Sequence, residues 1–333
     1  MPPQLFRVAI TDFLTESDHE SPILQDIARV DTLQSHSEHD LINCVSDVHV
    51  FIVYHDIPRL GEATFRAAEN LVGIVRAGVG FNNIDIAAAA ARGIVVCNVP
   101  DYGTEDVADH ALMMLLAVAR GLVDCHESMR AGHWDYRRTG NAPRIRGKTL
   151  AIIGCGNIGS AMALRAKALG LKIVFFDPYL KPGADKALGI QRADSLEAAL
   201  KQADFVSLHC FLDEKSHALI NKEAFAHMKP GSILINTARG PVVDQTALLD
   251  ALDSGHLAGA GIDVFEREPL DDERLRSHAK VLLTPHCAFY TAEGFIEMRQ
   301  KSAEEARRLL LGQPPRCPVN LDLIPSQAQR RNV

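Results

Sequence analysis

The chain has 333 residues, 47% hydrophobic and 23% charged, with a formal net charge of −7. This is the composition of an ordinary soluble globular protein long enough for two domains, and its acidic balance argues against a broad nucleic-acid surface. The N-terminal MPPQLFRVAITDF has no charged segment leading a long apolar block, and no stretch nears about 18 uninterrupted apolar residues, so neither secretion nor membrane spanning is expected.

In chain order, strand-like runs at Phe6–Ile10, Val48–Tyr54, Leu71–Val75 and Ile94–Val99 alternate with helical stretches at Pro58–Ala68 and Ile84–Ala91. That alternation predicts a small βα domain. Its most informative turn is RAGVGFNNID, Arg76–Asp85, where a buried strand delivers Arg76 into a glycine loop. An arginine beside loop N–H groups suits a carboxylate, although a turn with an incidental surface arginine would read the same way. From Thr104 to Arg130 the residues read as one long helix, with Thr104 as N-cap and Glu105 and Asp106 in its first turn. Its apolar residues cover most of its circumference. It should therefore be buried, under a sheet or against a second subunit, and is expected to carry much of a homodimer interface.

The segment Lys148–Pro178, KTLAIIGCGNIGSAMALRAKALGLKIVFFDP, organises the rest. An apolar run, Leu150–Ile153, passes through Gly154, Gly156 and Gly159 into a helical stretch, and a second run, Ile173–Phe176, ends on Asp177. Glycines for a tight turn, for close approach of a pyrophosphate and for helix packing, followed roughly twenty residues on by an acid that can reach a ribose, describe a dinucleotide site. The helix start offers N–H groups to the phosphates. Asp177 would repel a 2′-phosphate and no Arg or Lys directly follows it, so NAD is favoured over NADP.

The alternation continues with a helix at Leu196–Leu200, a strand at Phe205–Leu208, a strand at Ile233–Ile235, a helix at Gln245–Leu252 and a strand at Gly259–Val264. A short strand ends on Leu282 and Leu283, a long charged helical pattern runs from Ala292 to Leu311, and a polar tail is expected from about Ser326. The sheet should be mostly parallel. Seven cysteines are scattered without a C-x-x-C pair, so neither a disulfide framework nor a metal site is expected, and a cytoplasmic, reducing setting fits.

Three chemically capable residues fall at carboxyl ends of expected strands, where ligands bind in open α/β sheets: Arg239, Glu268 and His286. Singly, His286 reads as well as a core histidine, Glu268 as a loop carboxylate and Arg239 as a helix-dipole partner. Together, beside a dinucleotide site, they suit hydride transfer at a carbon bearing oxygen. His286 would exchange the oxygen's proton, Glu268 would favour the protonated ring, and Arg239 would bind the carboxylate of a 2-oxo acid and polarise its carbonyl. Asp263 could hold the nicotinamide carboxamide.

The motifs VRAGVGFNNID, VPDYGTEDVADHAL, GCGNIG with Asp177, LINTARGPVVD, GIDVFEREP and TPHCAFY stand in the order and spacing of the D-isomer-specific 2-hydroxyacid dehydrogenase family, which the chain resembles from about Leu71 to Asn320. Within it, RIRGKTLAIIGCGNIGSAMALRAKALG, FFDPYL and VSLHC are similar to the C-terminal-binding protein (CtBP-like) branch, whose members include transcriptional corepressors. The resemblance implies an α/β protein of two Rossmann-like or flavodoxin-like domains with doubly wound parallel sheets and a cleft between them. A discontinuous substrate domain would span 1–103 plus 297–333, and an NAD-binding domain 104–296. Hinge closure would then exclude water from the chemistry.

For the site, the resemblance implies catalysis by Arg239, Glu268 and His286, and a substrate clasp of Arg76 with Val79 and Gly80. It implies cofactor contacts from Thr104, Ile153, Gly154, Gly156, Asn157, Ile158, Gly159, Asp177, His209, Cys210, Thr237, Ala238 and Asp263. Phe289 stands where the corepressor branch has a tryptophan in the substrate pocket, which leaves glyoxylate, hydroxypyruvate, phosphoglycerate and bulkier oxo acids open. The competing reading is an NAD(H)-sensing dimer that recruits peptide partners.

Overall fold

The computed structural model describes residues 5–325 and divides the chain into two units, Met1–Gly103 with Thr291–Val333, and Thr104–Tyr290. The polar tail expected from Ser326 lies outside the described residues. The chain returns to the first unit at Thr291 rather than at 297, because the terminal helix Ala292–Leu310 starts there: the Thr291 hydroxyl accepts the Gly294 N–H at 2.9 Å.

The first unit holds five parallel strands, β1 (Phe6–Ile10), β2 (Ala28–Thr32), β3 (Val50–Val53), β4 (Gly73–Arg76) and β5 (Val95–Asn98), in the order β2-β1-β3-β4-β5. Strands β3 and β4 are buried throughout, which is why they stand out as apolar runs. Strand β2 is an edge strand reading ARVDT, without such a run, and sequence periodicity passes over it. The order reverses between β1 and β3. There the buried Asp12 carboxylate accepts the N–H groups of Tyr54 (3.0 Å) and Asp56 (2.8 Å) and ties the two strand ends together.

The terminal helix packs on β3 and β4 and carries a buried ion pair. Arg299, 6% exposed, donates from Nε and Nη2 to the two carboxylate oxygens of the fully buried Glu20, at 2.8 and 2.6 Å. The paired geometry compensates two charges removed from water, so losing one partner strands the other.

The second unit is a seven-stranded parallel sheet: β6 (Thr149–Ile153), β7 (Lys172–Phe176), β8 (Gln191–Arg192), β9 (Phe205–Leu208), β10 (Ser232–Asn236), β11 (Leu257–Ile262) and β12 (Val281–Leu283). Their order is β12-β11-β10-β9-β6-β7-β8, with the reversal between β6 and β9. Successive residues of β6 enter opposite cores: Ala151 and Ile153 join Val206, Leu208 and Leu234 on one face, whereas Leu150 and Ile152 join Phe205, Ile233 and Ile235 on the other. Both faces are thus covered, as a doubly wound sheet requires.

The segment Thr104–Arg130 is two helices, Thr104–Ala119 and Leu122–Arg130, not one. Gly121 between them adopts φ +56°, and a Cβ there would lie 3.1 Å from the Thr139 backbone, so the chain turns where glycine alone is comfortable. The first helix is buried on β10 and β11 of its own unit; the second has no buried residue. Among the described residues, no helix is long and apolar enough to cross a membrane.

Replacing Arg299 by Ala leaves the buried Glu20 without a counter-charge, with only the Tyr54 hydroxyl at 3.4 Å still donating to it among the described side chains, and should cost about 3–5 kcal/mol, read as a lowered urea midpoint; the paired substitution Arg299→Met with Glu20→Leu should recover most of that loss.

Candidate active site

At the reversal in the second unit, Gly154 leaves β6 with φ +86°, and a Cβ on it would sit 2.5 Å from the Cys210 nitrogen and 2.6 Å from its Cα. Glycine is needed there for both conformation and space. Gly159 lies against the Gly154 carbonyl, where a Cβ would collide, so the helix Asn157–Ala168 approaches the turn closely. Gly156, the N-cap of that helix, faces open space: nothing lies within 4 Å of where its Cβ would be. The arrangement fits a dinucleotide, with close packing behind the turn and room beside exposed helix N–H groups in front. Behind the turn stand Ile153, buried, and Ile158, packed against the core.

Asp177 ends β7 and accepts the Cys155 N–H at 2.8 Å on one oxygen, and the N–H groups of Tyr179 (2.8 Å) and Leu180 (3.2 Å) on the other. It therefore braces the glycine turn, and Oδ2, which accepts a single N–H, keeps further acceptor capacity. The Arg192 guanidinium beneath this loop donates to the carbonyls of Asp177, Leu180 and Lys181. Two buried polar atoms near the sheet edge, His209 Nδ1 and Thr237 Oγ1, have no hydrogen-bond partner among the described residues. Burial pushes His209 down to about 4, so its ring is neutral. Such orphaned groups beside a ligand crevice are what a bound polar ligand would satisfy.

The other half of the edge is arranged by Asp263, 1% exposed, just after β11. One oxygen accepts the Thr284 hydroxyl at 2.6 Å and the Cys287 N–H at 2.9 Å; the second accepts the Ala288 N–H at 3.0 Å. The Asp263 carbonyl accepts the His286 N–H at 2.7 Å. His286 is thereby held at φ +51°, a region that non-glycine residues enter at a cost of about 1–3 kcal/mol. In this pose its Nδ1 lies 2.7 Å from Glu268 Oε2, while Glu268 Oε1 accepts the Phe265 N–H at 3.0 Å. Burial works to raise the Glu268 carboxyl, but the His286 hydrogen bond and charge, the Phe265 N–H and the Arg239 charge together hold it below the usual carboxylate range.

Arg239 follows β10 through a turn fastened by the buried Asn236, whose amide donates to the Arg239 carbonyl and accepts the Ala238 N–H, both at 3.0 Å. The Arg239 guanidinium also donates to the Ala238 carbonyl at 2.6 Å. Gly240 comes next, and any Cβ on it would overlap the Phe265 carbonyl. That contact seats the Arg239 turn on the Phe265–Glu268 loop. The three residues singled out from the sequence thus meet at one sheet edge, from chain segments far apart.

A model of the D-isomer specific 2-hydroxyacid dehydrogenase NAD binding domain matches residues 112–288, just over half of the chain. The chain belongs to this dehydrogenase family. It is 37% identical over 299 residues to a D-3-phosphoglycerate dehydrogenase of Synechocystis sp., covering 90% of this chain and 53% of that one, so it spans about half of that relative's length. Among solved structures, the holo form of Rhodotorula graminis D-mandelate dehydrogenase is 29% identical with a TM-score of 0.85, covering 95% of this chain and 98% of that one. An NADPH-dependent glyoxylate/hydroxypyruvate reductase of Sinorhizobium meliloti, in complex with NADP and malonate, is 28% identical with a TM-score of 0.83, covering 95% and 97%.

In this family member, Phe289 stands edge-on to the His286 ring, with centroids 6.3 Å apart and planes at 86°. In the first unit, Arg76 ends β4 and its guanidinium folds back to the Ala77 carbonyl, over Gly78, where a Cβ would strike it. The following loop is fastened to β5: Asn98 Nδ2 donates to the Val79 carbonyl at 2.7 Å, and Val99 N–H to the Gly78 carbonyl at 3.0 Å. The sequence reading overlooked Asn236, Thr284 and His110, whose Nε2 lies 3.0 Å from the Thr284 hydroxyl. The available signal was an Asn at the end of a buried strand, with no apolar reason to be there.

Gly240→Ala should cost about 1–3 kcal/mol, because backbone atoms cannot yield as a side-chain tip can; denaturant unfolding of this variant beside Gly156→Ala, where an added Cβ meets open space at a negative φ, measures the contrast.

Proposed function

We propose that the protein is an NAD-dependent oxidoreductase acting on a CH–OH group, reducing a 2-oxo acid to the D-2-hydroxy acid and running the reverse reaction when the acid is in excess. The observation that carries this reading is the 2.7 Å contact between His286 Nδ1 and Glu268, with the Arg239 charge acting on the same carboxylate. With Nδ1 engaged, Nε2 is the nitrogen that gives its proton to the carbonyl oxygen as alkoxide character develops. The Glu268 carboxylate stabilises the imidazolium and fixes the ring's orientation. Arg239 pairs with the substrate carboxylate and draws electron density from the adjacent carbonyl, which favours 2-oxo acids over simple ketones. In the first unit, Arg76 with the backbone of Val79 and Gly80 is proposed as the carboxylate clasp. Phe289 supplies an apolar wall beside the acyl chain.

NAD, when bound, donates or accepts the hydride. Ile153, Gly154, Gly156, Asn157, Ile158 and Gly159 would hold its pyrophosphate region, Asp177 its ribose, and Thr104, His209, Cys210, Thr237, Ala238 and Asp263 the remainder. NAD is preferred to NADP because a 2′-phosphate would face the Asp177 carboxylate, while Arg192 is already committed to three carbonyls. The names of the relatives span phosphorylated, small and aromatic acids, so the physiological substrate is left to a panel of 2-oxo acids assayed by NADH consumption. Arg239→Ala should lower kcat/KM for the best of them by roughly 10²–10³-fold and leave NADH affinity nearly unchanged. Unchanged turnover in that variant would sink the assignment.

The homodimer expected from the segment Thr104–Arg130 is reassigned, as a proposal, to its second helix and the turn beyond it. Trp134 and Tyr136 are 90% and 85% exposed beside the exposed Leu122, Val123 and Met129, an apolar surface of the kind a second copy of the chain would cover. Trp134 is the single tryptophan, so association should shift its fluorescence to the blue, and Trp134→Asp should move the sedimentation coefficient toward that of a monomer. The same surface favours the second reading, an NAD(H)-sensing, CtBP-like dimer. NADH-dependent association with no reduction of any 2-oxo acid would select that reading.

A further inference from the structure

We propose that His110, Asp263 and Cys287 form a binding site for a zinc-class divalent cation. One ligand atom from each, an imidazole nitrogen, a carboxylate oxygen and Sγ, lies within 4.8 Å of the other two. His110 Nε2 is 3.7 Å from Asp263 Oδ1, close to the ~3.4 Å that separates two donors held at about 2.0–2.2 Å around one tetrahedral zinc. Nitrogen, thiolate and carboxylate donors together match the borderline-soft cation Zn²⁺ better than Mg²⁺ or Ca²⁺, which take oxygen ligands.

No spacing motif announces the site, because its ligands come from the helix Thr104–Ala119, the end of β11 and the loop after β12. Part of the outer support already exists. The Cys287 and Ala288 N–H groups fix the Asp263 carboxylate, and the Thr284 hydroxyl bridges His110 Nε2 and Asp263 Oδ1, at 3.0 and 2.6 Å. A bound cation displaces that hydroxyl bridge, takes His110 through an unprotonated Nε2 with the ring proton on Nδ1 and Cys287 as the thiolate whose proton passes to solvent, and takes over the link between His110 and Asp263. The remaining coordination position is left to water.

Asp263 is also the residue proposed above to meet the cofactor's amide. A cation seated on it therefore competes with the cofactor, a consequence that rests on that functional reading, whereas the cation site itself does not.

Cobalt(II) is the probe, since a thiolate ligand gives it a charge-transfer band. Titration of the purified full chain should raise this band with one-to-one saturation. Cys287→Ser should abolish it, His110→Ala should weaken cobalt affinity by at least about tenfold, and Cys44→Ser, at an exposed thiol of the first unit, should leave it intact. A chain that shows no thiolate band, or whose band survives in Cys287→Ser, overturns the site. Zinc should also raise the KM for NADH in the unmodified chain and not in Cys287→Ser; cobalt binding with an unmoved KM refutes the competition and leaves the cation site standing.

Discussion

One buried carboxylate holds the candidate site together. Asp263 is almost fully removed from water, a placement that would be costly for an unpartnered acid. Its oxygens accept a hydroxyl and two N–H groups of the loop 284–288, and its carbonyl accepts a third N–H, that of His286. These bonds hold the histidine at a left-handed backbone angle, and that angle directs its ring to Glu268. The strain at residue 286 is small beside the hydrogen bonds that enforce it, each worth about 1 kcal/mol or more when a charge takes part. A freely turning loop would leave imidazole and carboxylate to find one another in solvent, where such a pair contributes little.

Close backbone approach is the second constraint, and it explains why so much of the site could be read from residue types. Gly154 is pressed against Cys210, Gly159 against Gly154, and Gly240 against Phe265. Each contact fixes the position of a strand end relative to the next, so the functional side chains ride on crowded backbone rather than on long flexible loops. Glycines followed by a helix, and an acid at the end of the following strand, signal that crowding directly. The buried parallel strands are equally legible, because strands such as β3, β4 and β9 are buried along their full length and mostly apolar.

What escaped the sequence reading did so for physical reasons. Strand β2 lies at a sheet edge and is stabilised by pairing with β1 and by Arg7 reaching Asp31 at 2.6 Å, neither of which leaves a hydrophobic period. The break at Gly121 is hidden because apolar residues continue on both sides of it, and periodicity reports amphipathicity rather than the turn between two helices. The roles of Asn236, Thr284 and His110 depend on partners 2 to 174 residues away. A polar residue at a strand end has many such options, and only the fold selects among them.

The division between what the backbone fixes and what side chains adjust also bears on substrate choice. Arg239 sits in a turn locked by Asn236 and Gly240, and Glu268 and His286 are locked through Phe265 and Asp263, so the proton exchange and carboxylate recognition proposed for them tolerate little variation. Phe289 is different: it is an apolar ring that stands edge-on to the His286 imidazole. In the function proposed above, a change of volume there alters the room beside the acyl chain and leaves the hydrogen bond between His286 and Glu268 in place. The energetic scale favours this arrangement. Adding or removing a methylene's worth of contact in an apolar pocket changes discrimination by about 1–3 kcal/mol, whereas displacing a proton donor removes a contribution of similar or greater size from every substrate alike. A fold that keeps the acid, base and guanidinium on rigid turns can therefore vary one wall and change its substrate while keeping its reaction.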